Sequence, residues 1–82
     1  MNQKLRLIDL PHAPPGFISY RYEGIYGYIM LAARNDELAL IEAGKKIPCE
    51  NLTIDLLEVW DGKRYITMPE ERRRRDKLKV FI

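Results

Sequence analysis

"SYRYEGIYGYIM", residues 19–30, sets Tyr20, Tyr22, Tyr26 and Tyr28 around two glycines, Gly24 and Gly27. Residues 17–23 alternate as a strand does, and residues 26–33 read as its hairpin partner. With Gly24 and Ile25 as a two-residue loop, Gly24 takes the first central position of a type II′ turn. Tyr22 then pairs with Gly27, and Tyr20 with Ile29. This register puts Ile18, Tyr20, Tyr22, Ile29 and Leu31 on one face, and Ser19, Arg21, Glu23, Tyr26, Tyr28 and Met30 on the other. Two tyrosines belong to a core and two to a surface, and a slip of one residue exchanges the pairs.

Working outward, Asn35 is placed to cap a helix whose first turn carries Asp36 and Glu37, where the helix dipole favours acids. Lys45 and Lys46 suit its other end, and Pro48 forbids continuation, so the helix spans Asp36–Lys46. Ala39, Leu40, Ala43 and Ile47 share one side, with Gly44 beside them, while Leu38 and Ile41 fall on or near the polar side. A second hairpin follows in "LLEVWDGKRYITM", residues 56–68, where Asp61-Gly62 is a strong turn signal. A two-residue turn pairs Trp60 with Lys63, Glu58 with Tyr65 and Leu57 with Ile66. Leu57, Val59, Ile66 and Met68 face the core, and Glu58, Trp60, Lys63 and Tyr65 face water.

The flanks read differently. Residues 4–10 suggest a short strand, ended by "PHAPPG", residues 11–16, which is loop. "PEERRRRDKLK", residues 69–79, starts a helix at Pro69 and offers Glu70–Arg74 and Glu71–Arg75 pairs. "LKVFI" at the end reads as a terminal strand or an ordered hook. The expected fold is therefore α+β: an antiparallel sheet of four or five strands in ββαββ order, one helix packed on one face, the other face open, and a charged C-terminal segment. Residues 1–82 form a single domain, with an N-terminal strand and Pro-rich loop over 1–16, the core over 17–68 and a basic segment over 69–82.

Composition narrows the function. Hydrophobic residues make up 46% of the 82-residue chain, too many for disorder, and no stretch approaches the ~20 apolar residues of a membrane span. The opening residues interleave charge with leucine and do not read as a signal peptide. Cys49 is the single cysteine, so no intrachain disulfide forms and a reducing, cytoplasmic setting is expected. The net charge of +2 is unevenly spread: residues 1–68 hold eight Lys/Arg against nine Asp/Glu, whereas residues 69–82 hold six against three. His12, Cys49 and Ser19 are each the only residue of their type, with no spacing that suits a catalytic triad or a metal site. Phosphate-binding glycine motifs are missing as well. An enzyme is not expected, nor a cofactor or metal.

What remains is a binding surface. Arg21, Tyr26, Tyr28, Trp60, Lys63 and Tyr65 form an aromatic, half-charged face suited either to a protein partner or to stacking the bases of single-stranded nucleic acid. Arg72, Arg73, Arg74 and Arg75 supply steering charge or phosphate contacts. Tyrosines also serve simply as good strand formers that shield a sheet, and a helix spreads consecutive arginines around its axis. Edge strands at residues 4–10 or 77–82 offer a third role, pairing between copies, so the protein is a monomer or a homodimer.

At "YRYEGIYGYIMLAARNDELALIEAGKK", residues 20–46, followed by "VWDGKRYI", residues 59–66, the chain resembles small proteins carried by phages, plasmids and integrative elements of Gram-negative bacteria. The resemblance rests on Tyr20, Arg21, Tyr22, Gly24, Tyr26, Gly27, Ile29 and Met30, then Ala39, Leu40, Glu42 and Ala43, then Trp60, Asp61, Gly62 and Tyr65. It implies a mobile-element protein in a bacterial cytoplasm, with anti-CRISPR and anti-restriction inhibitors as the familiar functional type. An inhibitor docking on a host protein or nucleoprotein complex is the first expectation, and a small nucleic-acid-binding regulator is the alternative. Residues 1–16 and the arginine run lie outside the resemblance.

Overall fold

Gly24 pairs with Gly27, and the turn of the first hairpin is made by Ile25 and Tyr26. The computed structural model describes residues 6–47 and 51–79. Strand β1 (Ile18–Gly24) runs antiparallel to β2 (Gly27–Ala33), with Tyr22 opposite Ile29 and Tyr20 opposite Leu31. The pairing is shifted by two residues from the expected one. The reason lies in which glycine takes the unusual backbone: Gly27 has φ 129°, a value open to glycine, and Gly24 does not. A shift of two leaves every paired side chain on its expected face, because alternation has a period of two, but it moves Tyr26 from the strand into the turn.

Asn35 caps α1 (Asp36–Lys46) as expected, its side chain accepting the Leu38 N–H at 2.9 Å. The helix bounds agree with the sequence reading. Ala39 and Ala43 are buried, and Leu40 and Ile47 pack partly against the core. Small residues at the contact let the helix lie close on the sheet; a Cβ on Gly44 would come 2.9 Å from Leu52 Cδ1. Leu38 and Ile41 remain exposed.

After a 3-10 turn at Ile54–Leu56, β3 (Leu57–Trp60) and β4 (Tyr65–Thr67) form the second hairpin. Trp60 pairs with Tyr65 and Val59 with Ile66, again two residues from the expected register. Asp61 accepts the N–H groups of Lys63 and Arg64 on Oδ1 at 2.8 and 2.9 Å, and its own N–H donates to the Arg64 carbonyl. The turn thus takes four residues, with Gly62 at φ 110°. The sheet order is β2-β1-β3-β4, so β2 and β4 are the edges.

The fold is α+β as expected, but it carries two helices. The basic segment is α2 (Met68–Lys79), which starts one residue before Pro69. It lies on the same side of the sheet as α1. Met68 joins the core cluster with Tyr20, Tyr22, Leu31, Leu57 and Val59, while Glu71 is buried and bracketed by Arg74 (2.6 Å) and Arg75 (3.7 Å). Arg75 also reaches Asp36, which accepts the Tyr20 hydroxyl at 2.7 Å, so the two helices meet over one polar chain.

The N-terminal strand is not formed over residues 6–10; Leu7–Asp9 is a 3-10 turn instead. Residues 4 and 5 lie outside the described residues, as do Pro48, Cys49 and residues 80–82. The expected strand at the C-terminal end is helical through Lys79.

Candidate functional site

The second face of the sheet is not open. Arg21 stands at its centre with its guanidinium 4.1 Å from the Tyr28 ring centroid and 4.6 Å from that of Tyr65. Glu58, opposite on β3, accepts from Nε at 2.8 Å and from Nη2 at 2.7 Å. The remaining nitrogen, Nη1, donates to the Ile8 carbonyl (2.8 Å) and to Asp9 (2.9 Å). Burial works against the arginine's charge, but the Glu58 and Asp9 hydrogen bonds outweigh it and hold its pKa above the usual value. Asp9 is correspondingly held below the ordinary carboxylate range by hydrogen bonds from Arg21 and then Arg6.

Residues 6–13 are thereby laid across this face as a strap. Tyr65 donates its hydroxyl to the Leu10 carbonyl at 3.0 Å, and Ser19 Oγ accepts the N–H groups of His12 and Ala13 at 3.0 and 2.8 Å. Ser19 and His12 are thus brought together, yet through the histidine's backbone; its ring Nδ1 faces the Tyr65 hydroxyl at 3.4 Å. Ser19 is 5% exposed and its oxygen already accepts twice, so the pair has the geometry of a tether. Burial raises the Tyr65 phenol, and burial with the Glu58 charge raises that of Tyr28.

The expected contact face therefore divides. Arg21 and Tyr65, at 6% exposure, are committed to internal contacts, and Tyr28 stacks on the arginine. Trp60 meets Tyr65 edge to face at 5.3 Å and stays partly exposed near the end of the sheet. Lys63 is exposed on the β3–β4 turn. Tyr26 is not on a sheet face; it stands 100% exposed at the hairpin tip, beside Ile25 at 75%.

A basic surface forms elsewhere. Arg64 pairs with Glu70 at 3.4 Å, which sets the β3–β4 turn beside α2. Asp61, held below the ordinary carboxylate range chiefly by the Arg64 and Lys63 N–H groups, also feels the charge of Arg74. Arg64, Arg73, Arg74 and Lys77 thus lie along one side of the molecule, with Lys63 next to Arg64 on the turn. An open groove of about 730 Å³ beside α2 is lined by Glu70, Arg73, Arg74, Asp76 and Lys77. It exceeds the ~300 Å³ that a small-molecule site needs, but its described lining comes from one helix and is charged. Arg72 is exposed, while Arg74 and Arg75 are half-exposed and paired to Glu71. The four arginines accordingly split between solvent and the buried glutamate.

Sequence reasoning missed the Arg64–Glu70 link and the strap. The strap's one signal was Ser19, a small hydroxyl on a strand beside a Pro-rich loop. Among the described residues no three His, Cys, Asp or Glu side chains form a metal-binding group, and no helix is long and apolar enough to cross a membrane. No protein-family model, no curated protein and no solved structure matches this chain.

Proposed function

We propose that this chain is a non-catalytic binding protein of a phage or mobile genetic element, an anti-CRISPR-like inhibitor that docks on a host protein or nucleoprotein complex. One observation carries the reading: a fully exposed Tyr26, with Ile25 next to it, at the tip of a hairpin of seven paired positions. Tyrosine is a frequent interface anchor, since it buries ~150–250 Å². Holding it on an ordered turn reduces the entropy lost on docking. Tyr26 does nothing for the core, so its removal leaves the fold intact. The test is phage plating on a restricting or CRISPR-proficient host that expresses either the wild type or Tyr26→Ala. Protection of the phage by the wild type, lost in Tyr26→Ala at equal expression, supports the reading; equal activity of the two removes the hairpin tip as the docking site.

The second reading is direct nucleic-acid binding, favoured by the gathering of Lys63, Arg64, Arg73, Arg74 and Lys77 beside the β3–β4 turn. Here the strap matters, because it covers the aromatic face that would otherwise stack bases. Binding would then be mainly to phosphates and strongly salt-dependent. Trp60, partly exposed next to that turn, is the reporter. Its fluorescence is titrated with single-stranded RNA, single-stranded DNA and duplex DNA at low and moderate salt. Saturable quenching that weakens with salt favours this second reading over the first.

A further inference from the structure

The edge strand β2 has a strand neighbour on one side only. It is seven residues long and uncharged, whereas the opposite edge, β4, has three residues. Two-residue closure at Gly24–Gly27 makes Gly27, Ile29, Leu31 and Ala33 the residues bonded to β1, so Tyr28, Met30 and Ala32 direct their peptide groups outward. One contact agrees with this parity and partly guards the edge: Lys46 Nζ donates to the Met30 carbonyl at 3.1 Å. Natural edges usually carry inward charges, prolines or bulges, and β2 has none of these.

We infer that β2 is a self-association edge, pairing antiparallel with β2 of a second copy about a two-fold axis through Met30. The strand is self-complementary in this register. Met30 meets Met30 of the other copy and Tyr28 meets Ala32, each as a doubly hydrogen-bonded pair. On the core side, Ile29, which is partly buried, meets Leu31 and carries the apolar layer across the seam. At the ends, Tyr26 arrives at Arg34 of the other copy, an exposed arginine that lies 5.1 Å over Phe17. An aromatic ring that is fully exposed in one chain thus meets a cation already stacked on an aromatic ring.

The helices reinforce the same axis. Since Lys46 reaches the β2 edge, the flank of α1 that carries Leu38, Glu42 and Lys45 looks across it. Joined edges are ~4.8 Å apart, and α1 packs on β2, so the two α1 helices become neighbours across the axis. Leu38, 44% exposed, is then covered, and the Glu42–Lys45 pair (3.2 Å) has an alternative partner across the axis. The product is an eight-stranded sheet. The seam engages Tyr26, so the dimer and the host docking proposed above use the hairpin tip in alternative states, and the mass measurement reads the dimer alone.

Sedimentation equilibrium in reducing buffer over a wide concentration range tests it. The wild type is expected to shift from the 9.7 kDa chain mass to twice that value with rising concentration. Lys46→Ala, which frees the Met30 carbonyl, tightens association by about fivefold, the worth of one modest hydrogen bond. Met30→Pro removes an outward N–H that β1 does not use and yields a monomer. Leu38→Glu, at an exposed position on that flank of α1, does the same without touching the sheet. A chain mass at every concentration for both the wild type and Lys46→Ala overturns the inference, as does a dimer that survives in the folded Met30→Pro and Leu38→Glu variants.

Discussion

Arg21 and Glu58, on neighbouring strands but 37 positions apart in the chain, meet at a single carboxylate oxygen, which accepts from Nε at 2.8 Å and pairs with Nη2 at 2.7 Å. Their side chains are only 12% and 13% exposed, so each depends on the other for its charge to be tolerated. Removing one partner of such a pair leaves an uncompensated charge. Arg21→Ala is expected to cost about 3 kcal/mol, since it also frees the strap at Ile8 and Asp9. Arg21→Lys keeps the charge but loses the planar fork and the stacking on Tyr28 and Tyr65, so it recovers only part of the loss. Urea unfolding of both variants measures this; a change within about 0.5 kcal/mol for Arg21→Ala would show that the pair is idle.

The turn register makes a prediction of its own. Gly27 holds φ 129° and Gly24 does not, so Gly27→Ala should cost about 1–2 kcal/mol through backbone strain, with Gly24→Ala distinctly milder. A type II′ turn over Gly24-Ile25 would reverse that order. Thermal unfolding of the two single variants separates the registers.

Glu71 is 2% exposed and answered by Arg74 and Arg75. Glu71→Ala strips the carboxylate from two arginines and opens space under α2, so a loss of about 3 kcal/mol is expected, with Glu71→Gln intermediate. Urea unfolding followed by circular dichroism reads the loss. A neutral Glu71→Ala would mean that the buried carboxylate adds nothing to the docking of α2.

Tyr20 is pushed above the ordinary phenol range by burial first and then by the Asp36 hydrogen bond and charge. Its folded pKa exceeds its unfolded one, so the folded state binds more protons at alkaline pH. Its contribution is whole below about pH 10 and falls as pH rises from there toward the folded value. Tyr28 and Tyr65 shift the same way, each by burial first. Stability should therefore decline steeply above about pH 10, and Tyr20→Phe should flatten that slope while costing about 1 kcal/mol at neutral pH. Phenolate absorbance during alkaline titration provides the check: early titration of every tyrosine at its ordinary value would contradict the burial.

Much of this was legible before any tertiary contact was known. The bounds of α1 follow from Asn35, Asp36 and Lys46, because capping and dipole effects act within a turn or two of the chain. The core sides of both hairpins follow from alternation alone. Both registers, however, came out two residues away from expectation. A period-two pattern is blind to a shift of two, and the deciding facts were the φ of Gly27 and the Asp61 side chain closing a four-residue turn.

The sequence by itself determined the α+β class, the order of the two hairpins around α1, the limits of that helix and the core places of Tyr20 and Tyr22, since each of these rests on interactions between near neighbours. Only the tertiary structure decided that Arg21 and Tyr65 serve the fold and that Tyr26 stands alone at a tip. It also decided that α2 is docked by a buried glutamate. Those outcomes turn on contacts such as Tyr65 to Leu10, 55 positions apart, and Arg75 to Asp36, 39 positions apart. A side chain's polarity states that it needs a partner; the fold chooses whether that partner is solvent, another molecule or a distant stretch of the same chain.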